Sequence, residues 1–369
     1  MDHPPTLVVF LGGLRGSPVE EMVAAARRAT ALDSVEAALS SGAFTGAVLV
    51  TDDASFEANV PGLALDIDPG PFHFGSRLAR VVRGHNLGAV VYMGGGSVPL
   101  FGPADFAGVA KALGAGIVTN NAFSSDLVAF SVTDAALAAL ETLDRDNGLA
   151  RALQERTGLA LAELPRTVAT QMDIDGPSDL AILALTEEGG ARLQAHFTTH
   201  ALDQRRYERA LPLFTDREAQ IVVAGRAGSH SWQYLERETA CRVRLFAEER
   251  GLEAEGRAQT SAARSLLGFF IETAGITRFF DVLPELGDAA FIDTRVLLAH
   301  MRIEASRQDR FLSDLGVWSE VRDSFLRDFT HAAAEARIPV LLGGHSLMSG
   351  GLMALNEFAW RRNDLRGSD

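Results

Sequence analysis

Apolar and polar positions along this chain change period several times. Residues 6–11, 47–51, 89–93 and 116–118 are short, nearly unbroken apolar runs, rich in Val, Ile and Leu. That is the pattern of strands buried on both faces. Residues 63–67 and 167–174 are read as further strands. Between these runs the apolar spacing lengthens to the helical period. Residues 19–39 offer Met22, Val23, Ala26, Leu32, Val35 and Leu39 as buried positions, and helices are expected over 75–83, 103–113, 134–143 and 178–185. Strands and helices alternating at this spacing predict βαβ units and a mostly parallel sheet flanked by helices, an α/β protein.

The pattern changes in the second half. A boundary is expected near Glu187-Glu188-Gly189-Gly190, giving domains of residues 1–190 and 191–369. The second domain reads as helix-rich α/β. Strands are expected at 220–224, 289–293 and 338–342, with helices at 232–249, 262–273, 296–303 and 317–336 and a last one after Ser346.

Composition narrows the function classes. The chain has 369 residues, 47% hydrophobic and 22% charged, which is long enough for two globular domains. Its net charge of -14 argues against a nucleic-acid partner, which would need a basic face. Lys111 is the one lysine, so nearly every cation is Arg, suited to bidentate anion contacts. Cys241 is the one cysteine, which excludes an internal disulfide and a Cys-based zinc cluster. No apolar run reaches membrane-spanning length, and Met1-Asp2-His3-Pro4-Pro5 lacks the basic start of a signal peptide. The expectation is a soluble cytoplasmic protein with no membrane partner; a homo-oligomer is left open.

Candidate chemistry gathers where the first-half strands end. The run 89–93 leads into Gly94-Gly95-Gly96-Ser97-Val98-Pro99, and Pro103 and Asp105 then open a helix. Glycine at such a strand–turn–helix junction lets a ligand approach the backbone. Gly12, Gly13, Arg15 and Gly16 form a loop ahead of the first helix, where N–H groups and the helix dipole favour phosphate and Arg15 can pair with it. The second strand ends in Asp52-Asp53. A later segment reads Met172-Asp173-Ile174-Asp175-Gly176-Pro177-Ser178-Asp179-Leu180. On a regular strand Asp173 and Asp175 share a face and can approach one hard cation. Pro177 and Asp179 read as helix-start residues.

Taken together these four features resemble the MobA-like nucleotidyltransferases of GT-A fold, nearest the 2-phospholactate guanylyltransferase-like branch. The resemblance covers roughly residues 6–185, and the late Asp-x-Asp-x-Pro-x-Asp-Leu segment is its most specific part. It implies a GT-A-like, Rossmann-like sheet and a nucleotidyl transfer from a nucleoside triphosphate to a small phosphorylated or carboxylated acceptor. It implies Mg2+ or Mn2+ held by Asp175, with Asp173 and Asp52 as further ligands. Gly12, Gly13, Gly16, Gly94, Gly95, Gly96 and Ser97 would surround the nucleotide, with Arg15 and Asp175 as the catalytic pair. Two departures stand out. Ser97 occupies the position of the metal carboxylate in the family's D-x-P turn, and the first loop lacks its downstream lysine. These keep two rivals open: a GT-A glycosyltransferase using a nucleotide sugar, and a non-catalytic nucleotide-binding module.

Other residues carry paired readings. Asp66-Ile67-Asp68 is a D-x-D triplet, read in preference as strand-end acids before Pro69-Gly70. Asn120 and Asn121 either read a base or ribose or serve a turn. His73 and His85 are read as ordinary surface or core histidines. Gly344-His345-Ser346-Leu347 imitates a nucleophile elbow, but no histidine follows the serine as the hydrolase order requires. Arg237, Arg242, Arg244 and Arg250 are read as spread along one helix beside Arg226 and His230, an anion site or, in preference, a solvated face. Asp288, Asp293 and Arg295 form a further polar set without an assigned role, and Cys241 reads as helical core.

Overall fold

The computed structural model describes residues 4–12, 15–250 and 263–366. The described residues group into two compact units. The first takes the chain up to Arg15, then Ala24–Gln171 and Gly189–His196; the second takes Gly16–Val23, Met172–Glu188 and the chain from Phe197 onward. The segment 172–188, expected with the first half, therefore groups with the second.

In the first unit the strands are β1 (Thr6–Leu11), β2 (Gly46–Thr51), β3 (Leu63–Ile67), β4 (Ala89–Gly94), β5 (Ile117–Thr119), β6 (Leu127–Ser131) and β7 (Leu161–Glu163). They form one seven-stranded sheet in the order β3-β2-β1-β4-β6-β5-β7. Pairing is parallel except that β6 runs antiparallel to both β4 and β5. The two-residue period of the strands feeds two cores. Leu7, Val9, Leu49, Val91 and Met93 pack on one face, Val8, Val48, Val50, Val90 and Tyr92 on the other. Both layers exclude water, which is why these runs are apolar throughout.

Helix Phe74–Gly84 covers the second face, with Leu78 and Val81 fully buried. Its entry is tight: a Cβ on Gly75 would stand 1.7 Å from the Leu140 carbonyl oxygen and 2.9 Å from that of Leu143. Both obstacles are backbone, so neither can swing aside. Gly75→Ala will destabilise the protein by about 3 kcal/mol, the upper end of ordinary overpacking. Urea unfolding measures it; a variant within about 0.5 kcal/mol of the parent would refute this packing.

The second unit holds β8 (Gln220–Gly225), β9 (Arg242–Ala247), β10 (Ala289–Asp293) and β11 (Val340–Gly343). They form a four-stranded sheet, order β11-β10-β8-β9, parallel throughout. Val222, Ala224, Ala290, Ile292 and Leu342 line one face of it, under Leu283 and Phe329. Among the described residues no helix is long and apolar enough to cross a membrane.

Several expected elements differ. Residues 167–174 are not a strand. Val168–Gln171 is one helical turn, because Thr170 Oγ1 accepts the Thr167 N–H at 2.9 Å and donates to the Pro165 carbonyl at 2.8 Å. The helix expected at 232–249 is a helix, Ser229–Glu238, followed by β9. Arg242-Val243-Arg244-Leu245 alternates with the strand period, so Arg237 and Arg244 share no helix face. The long helix expected at 317–336 is confined to Ser324–Ala334, capped by Asp323 accepting the Leu326 N–H at 2.8 Å. The helix expected at 262–273 begins at Leu266, and the helical stretch Leu266–Leu286 is broken by a kink at Gly275 (φ 84°, ψ 163°); residue 262 lies outside the described residues.

Candidate functional site

Strand order in the first unit reverses between β1 and β4, which is where open α/β sheets leave a crevice at the strands' carboxyl ends. The loops after β1 to β5 all belong to that edge. Gly12 and Arg15 follow β1, Asp52 and Asp53 follow β2, Phe72 follows β3, Gly94–Ser97 closes β4, and Asn120, Asn121 and Phe123 follow β5. Gly13 lies outside the described residues.

The glycine turn after β4 is pressed onto β1. The Gly95 N–H donates to the Phe10 carbonyl at 2.8 Å, and a Cβ on Gly95 would come within 2.6 Å of Leu11 Cδ1. Glycine is thus required here by packing, and Gly95, Gly96 and Ser97 are buried. The Ser97 N–H closes the turn onto the Gly94 carbonyl at 3.1 Å. Val98 then takes a φ of 44°, a left-handed conformation that a β-branched residue adopts only under strain. Strain of about 1–3 kcal/mol per such residue concentrates at ligand sites.

Charges on this edge are mostly spoken for. Arg15 reaches Asp52 at 3.5 Å and Asp53 at 4.0 Å. Asp53 is held by Arg28 at 2.9 Å, and hydrogen bonds from the Ser55 side chain and backbone hold its carboxyl below the usual range, helped by Arg15 and Arg28. The D-x-D pair is likewise closed. Asp66 is bonded by Arg77 and faces His85 at 3.0 Å. Asp68 faces Arg80 at 3.0 Å, and its carboxyl is lowered first by the Gly70 N–H, then by Arg77 and Arg80. These are strand-end acids locked to cations.

Asn120 has no amide capacity left for a ligand. Its Nδ2 donates to Asp126 Oδ2 at 3.0 Å and to the Thr170 carbonyl at 3.2 Å, and its Oδ1 accepts the N–H groups of Asp126 and Leu127, both at 3.1 Å. Asn121 Oδ1 accepts the Phe123 N–H at 3.0 Å, a turn role. Phe72 and Phe123, 69% and 74% exposed, are the aromatic surface of this edge that sequence reasoning passed over. A single exposed Phe leaves no periodic signal.

The loop's Gly16, with φ of 137°, groups with the second unit. The helix it precedes is closed by a capping box. Ser17 Oγ and N–H both donate to Glu20 Oε2, at 2.8 and 3.2 Å. A carboxylate therefore sits where the phosphate was expected.

Asp173 and Asp175 also fall in the second unit, outside any strand, so the argument that one face carries both does not apply. Asp173 gives its carbonyl to Ser346 Oγ at 2.7 Å. That hydroxyl is buried and spent, and His345 Nδ1 donates to the Arg226 carbonyl at 3.1 Å, so no elbow nucleophile is assembled. Asp288 Oδ2 accepts the Gln220 N–H at 2.8 Å, a sheet-end brace.

The metal expected from Asp175, Asp173 and Asp52 was set against these contacts. Ser97 brings no charge, Asp52 faces Arg15, and among the described residues no three of His, Cys, Asp and Glu are grouped to hold an ion. The set does not fit a resident divalent cation. Compared with protein-family models and with curated proteins, the chain gives no match.

Proposed function

We propose that the first unit binds a nucleoside phosphate at the carboxyl edge of its sheet, as a GT-A-like domain of the nucleotidyltransferase type. One observation supports this reading: Gly12 and the strained Gly94–Val98 turn follow adjacent parallel strands at the point where strand order reverses. Arg15 is the cation for phosphate, since its side chain is 62% exposed and only loosely engaged by Asp52. Phe72 and Phe123 suit the base face.

Transfer of the nucleotidyl group to a small anionic acceptor is the activity this reading leads to. A second reading, a module that binds without turnover, is favoured by the buried neutral Ser97 in the place of a carboxylate.

A thermal-shift panel of nucleoside triphosphates and sugar nucleotides, with and without Mg2+, tests the reading. Binding to the native state raises the midpoint by mass action. Phe72→Ala should weaken the responding nucleotide about tenfold, the lower part of the base-stacking range. Arg15→Ala should remove the shift. Pyrophosphate release marks the transferase, release of a nucleoside diphosphate from a sugar nucleotide marks a glycosyltransferase, and a shift without turnover marks the module. No shift with any nucleotide would sink the proposal.

A further inference from the structure

The second sheet has its own reversal of strand order, between β8 and β10. The chain leaves β8 through Gly225-Arg226-Ala227-Gly228 into helix Ser229–Glu238, leaves β10 through Asp293-Thr294-Arg295, and leaves β11 through Gly343-Gly344-His345. All three turns lie at the carboxyl edge of one parallel sheet, where ligands of such sheets sit.

Two arginines there are held from behind by buried carboxylates. Arg226 Nε and Nη2 donate to Asp293 Oδ2 and Oδ1 at 2.6 and 3.2 Å. Arg295 Nη1 and Nη2 donate to Asp314 Oδ1 and Oδ2 at 3.0 and 2.6 Å, and Nη1 also reaches Thr294 Oγ1 at 2.7 Å. Both aspartate side chains are fully buried, while each arginine keeps about a fifth of its side chain exposed, 21% and 20%. Asp293 is fixed in turn by its cap on the Arg295 N–H at 3.0 Å. Gly225, at φ 151°, lets β8 pass this carboxylate, since a Cβ there would lie 2.3 Å from Asp293 Cβ.

Each clamp uses only part of its guanidinium, and both guanidinium groups border the Gly344 backbone. Among the described residues, the atoms nearest a Cβ placed on Gly344 are Arg295 Nε and Nη2, both at 3.8 Å, and Arg226 Nη2 at 4.0 Å. Arg295 Nε bonds nothing among the described residues, nor does Arg226 Nη1. Two cations thus flank one small gap over a glycine. Each guanidinium thus grips its acid with one edge and borders the Gly344 backbone as well. Arg250 stands nearby, its Nη1 2.6 Å from a Cβ placed on Gly228. Among the described residues Arg226, Arg250, Arg295 and Arg310 stand within the fields of Asp293 and Asp314 or of His345 beside the gap.

We infer that this edge of the second unit is an anion site, formed by Arg226, Arg295 and the gap over Gly344, that takes the phosphoryl group of a small molecule. Guanidinium N–H groups from two separate elements suit a tetrahedral anion, whose oxygens point in different directions. His345 supports the assignment, because burial and the fields of Arg226 and Arg250 hold its imidazole below the usual range, leaving the gap's charge to the arginines.

The test uses the full chain and Gly344→Asp, which puts a carboxylate into the gap without touching the clamps. Midpoints are read against inorganic phosphate, with acetate and chloride at matched ionic strength. In the parent, phosphate should raise the midpoint above chloride and slow amide exchange in residues 225–232 and 343–347. In Gly344→Asp both responses should be lost while the anion-free midpoint holds or rises. An equal phosphate response in parent and variant, or none in the parent, overturns the site. An acetate response matching phosphate overturns the phosphoryl preference. Arg15→Ala, which disables the first-unit reading, should leave the phosphate response intact, so the two proposals fail separately.

Discussion

Arg295→Met will lower the unfolding free energy by about 3–5 kcal/mol, the range for breaking one side of a buried ion pair. The methionine fills a similar volume, so the loss comes from Asp314. That carboxylate is fully buried, and its two oxygens lose donors at 3.0 and 2.6 Å. Desolvation works against the Arg295 charge, yet Asp314 outweighs it and holds the guanidinium above its ordinary value. Removing both charges is a different case. Arg295→Met with Asp314→Leu replaces the pair by apolar groups, which often costs little, so the double variant should recover most of the loss. Urea unfolding of both variants at neutral pH reads the result. A single variant within about 1 kcal/mol of the parent would show an exposed pair instead.

That pair illustrates what the sequence displays and what it hides. Asp293 and Arg295 stand out in sequence because they end an apolar run, yet they look like partners of each other. In the fold Arg295 turns to Asp314, nineteen positions on, and Asp293 to Arg226, sixty-seven positions back. Sequence carries no signal for either pair: one joins the ends of neighbouring parallel strands, the other two helices, and the partners lie far apart along the chain. The strands themselves were legible where both faces are buried, as at 6–11, 89–93 and 289–293, since continuous apolar runs have one physical explanation. β6 went unread although Leu127–Ser131 is apolar, because it follows Asn and Ser residues that read as loop. β7 has only three residues, Leu161 half-buried and the other two exposed. The strand expected at 167–174 gives way to a helical turn because side-chain hydrogen bonds of Thr170 to the Thr167 N–H and the Pro165 carbonyl close the backbone locally. On the first-unit edge, the glycines were visible but not their cause. Gly95 answers to Leu11, a contact across two strands.

The stability that Asp179 contributes will fall as pH rises through the range between the ordinary aspartate value and about 8, and Asp179→Asn will remove that part of the pH dependence. Asp179 caps the helix Pro177–Thr186, its Oδ2 accepting the N–H groups of Asp175 and Gly176 at 2.9 and 2.8 Å. Its Oδ1 is buried without a partner. Burial first, then the neighbouring Asp175 and Asp314 charges, push its carboxyl up to about 8 from 3.8, against the two N–H bonds that favour ionisation. The folded state therefore keeps a proton that the unfolded chain releases near 3.8. Folding binds a proton throughout that window, so the contribution is complete below the unfolded value and is lost as pH climbs through the folded one. One proton gives a slope of at most about 1.4 kcal/mol per pH unit. An asparagine keeps the cap through its Oδ1 and cannot ionise. The variant should be no more stable than the parent near about pH 4 and more stable by several kcal/mol near about pH 8. Unfolding free energies measured side by side across that range decide it: parallel curves would mean that Asp179 is already ionised in the fold, with its charge met by the helix N terminus.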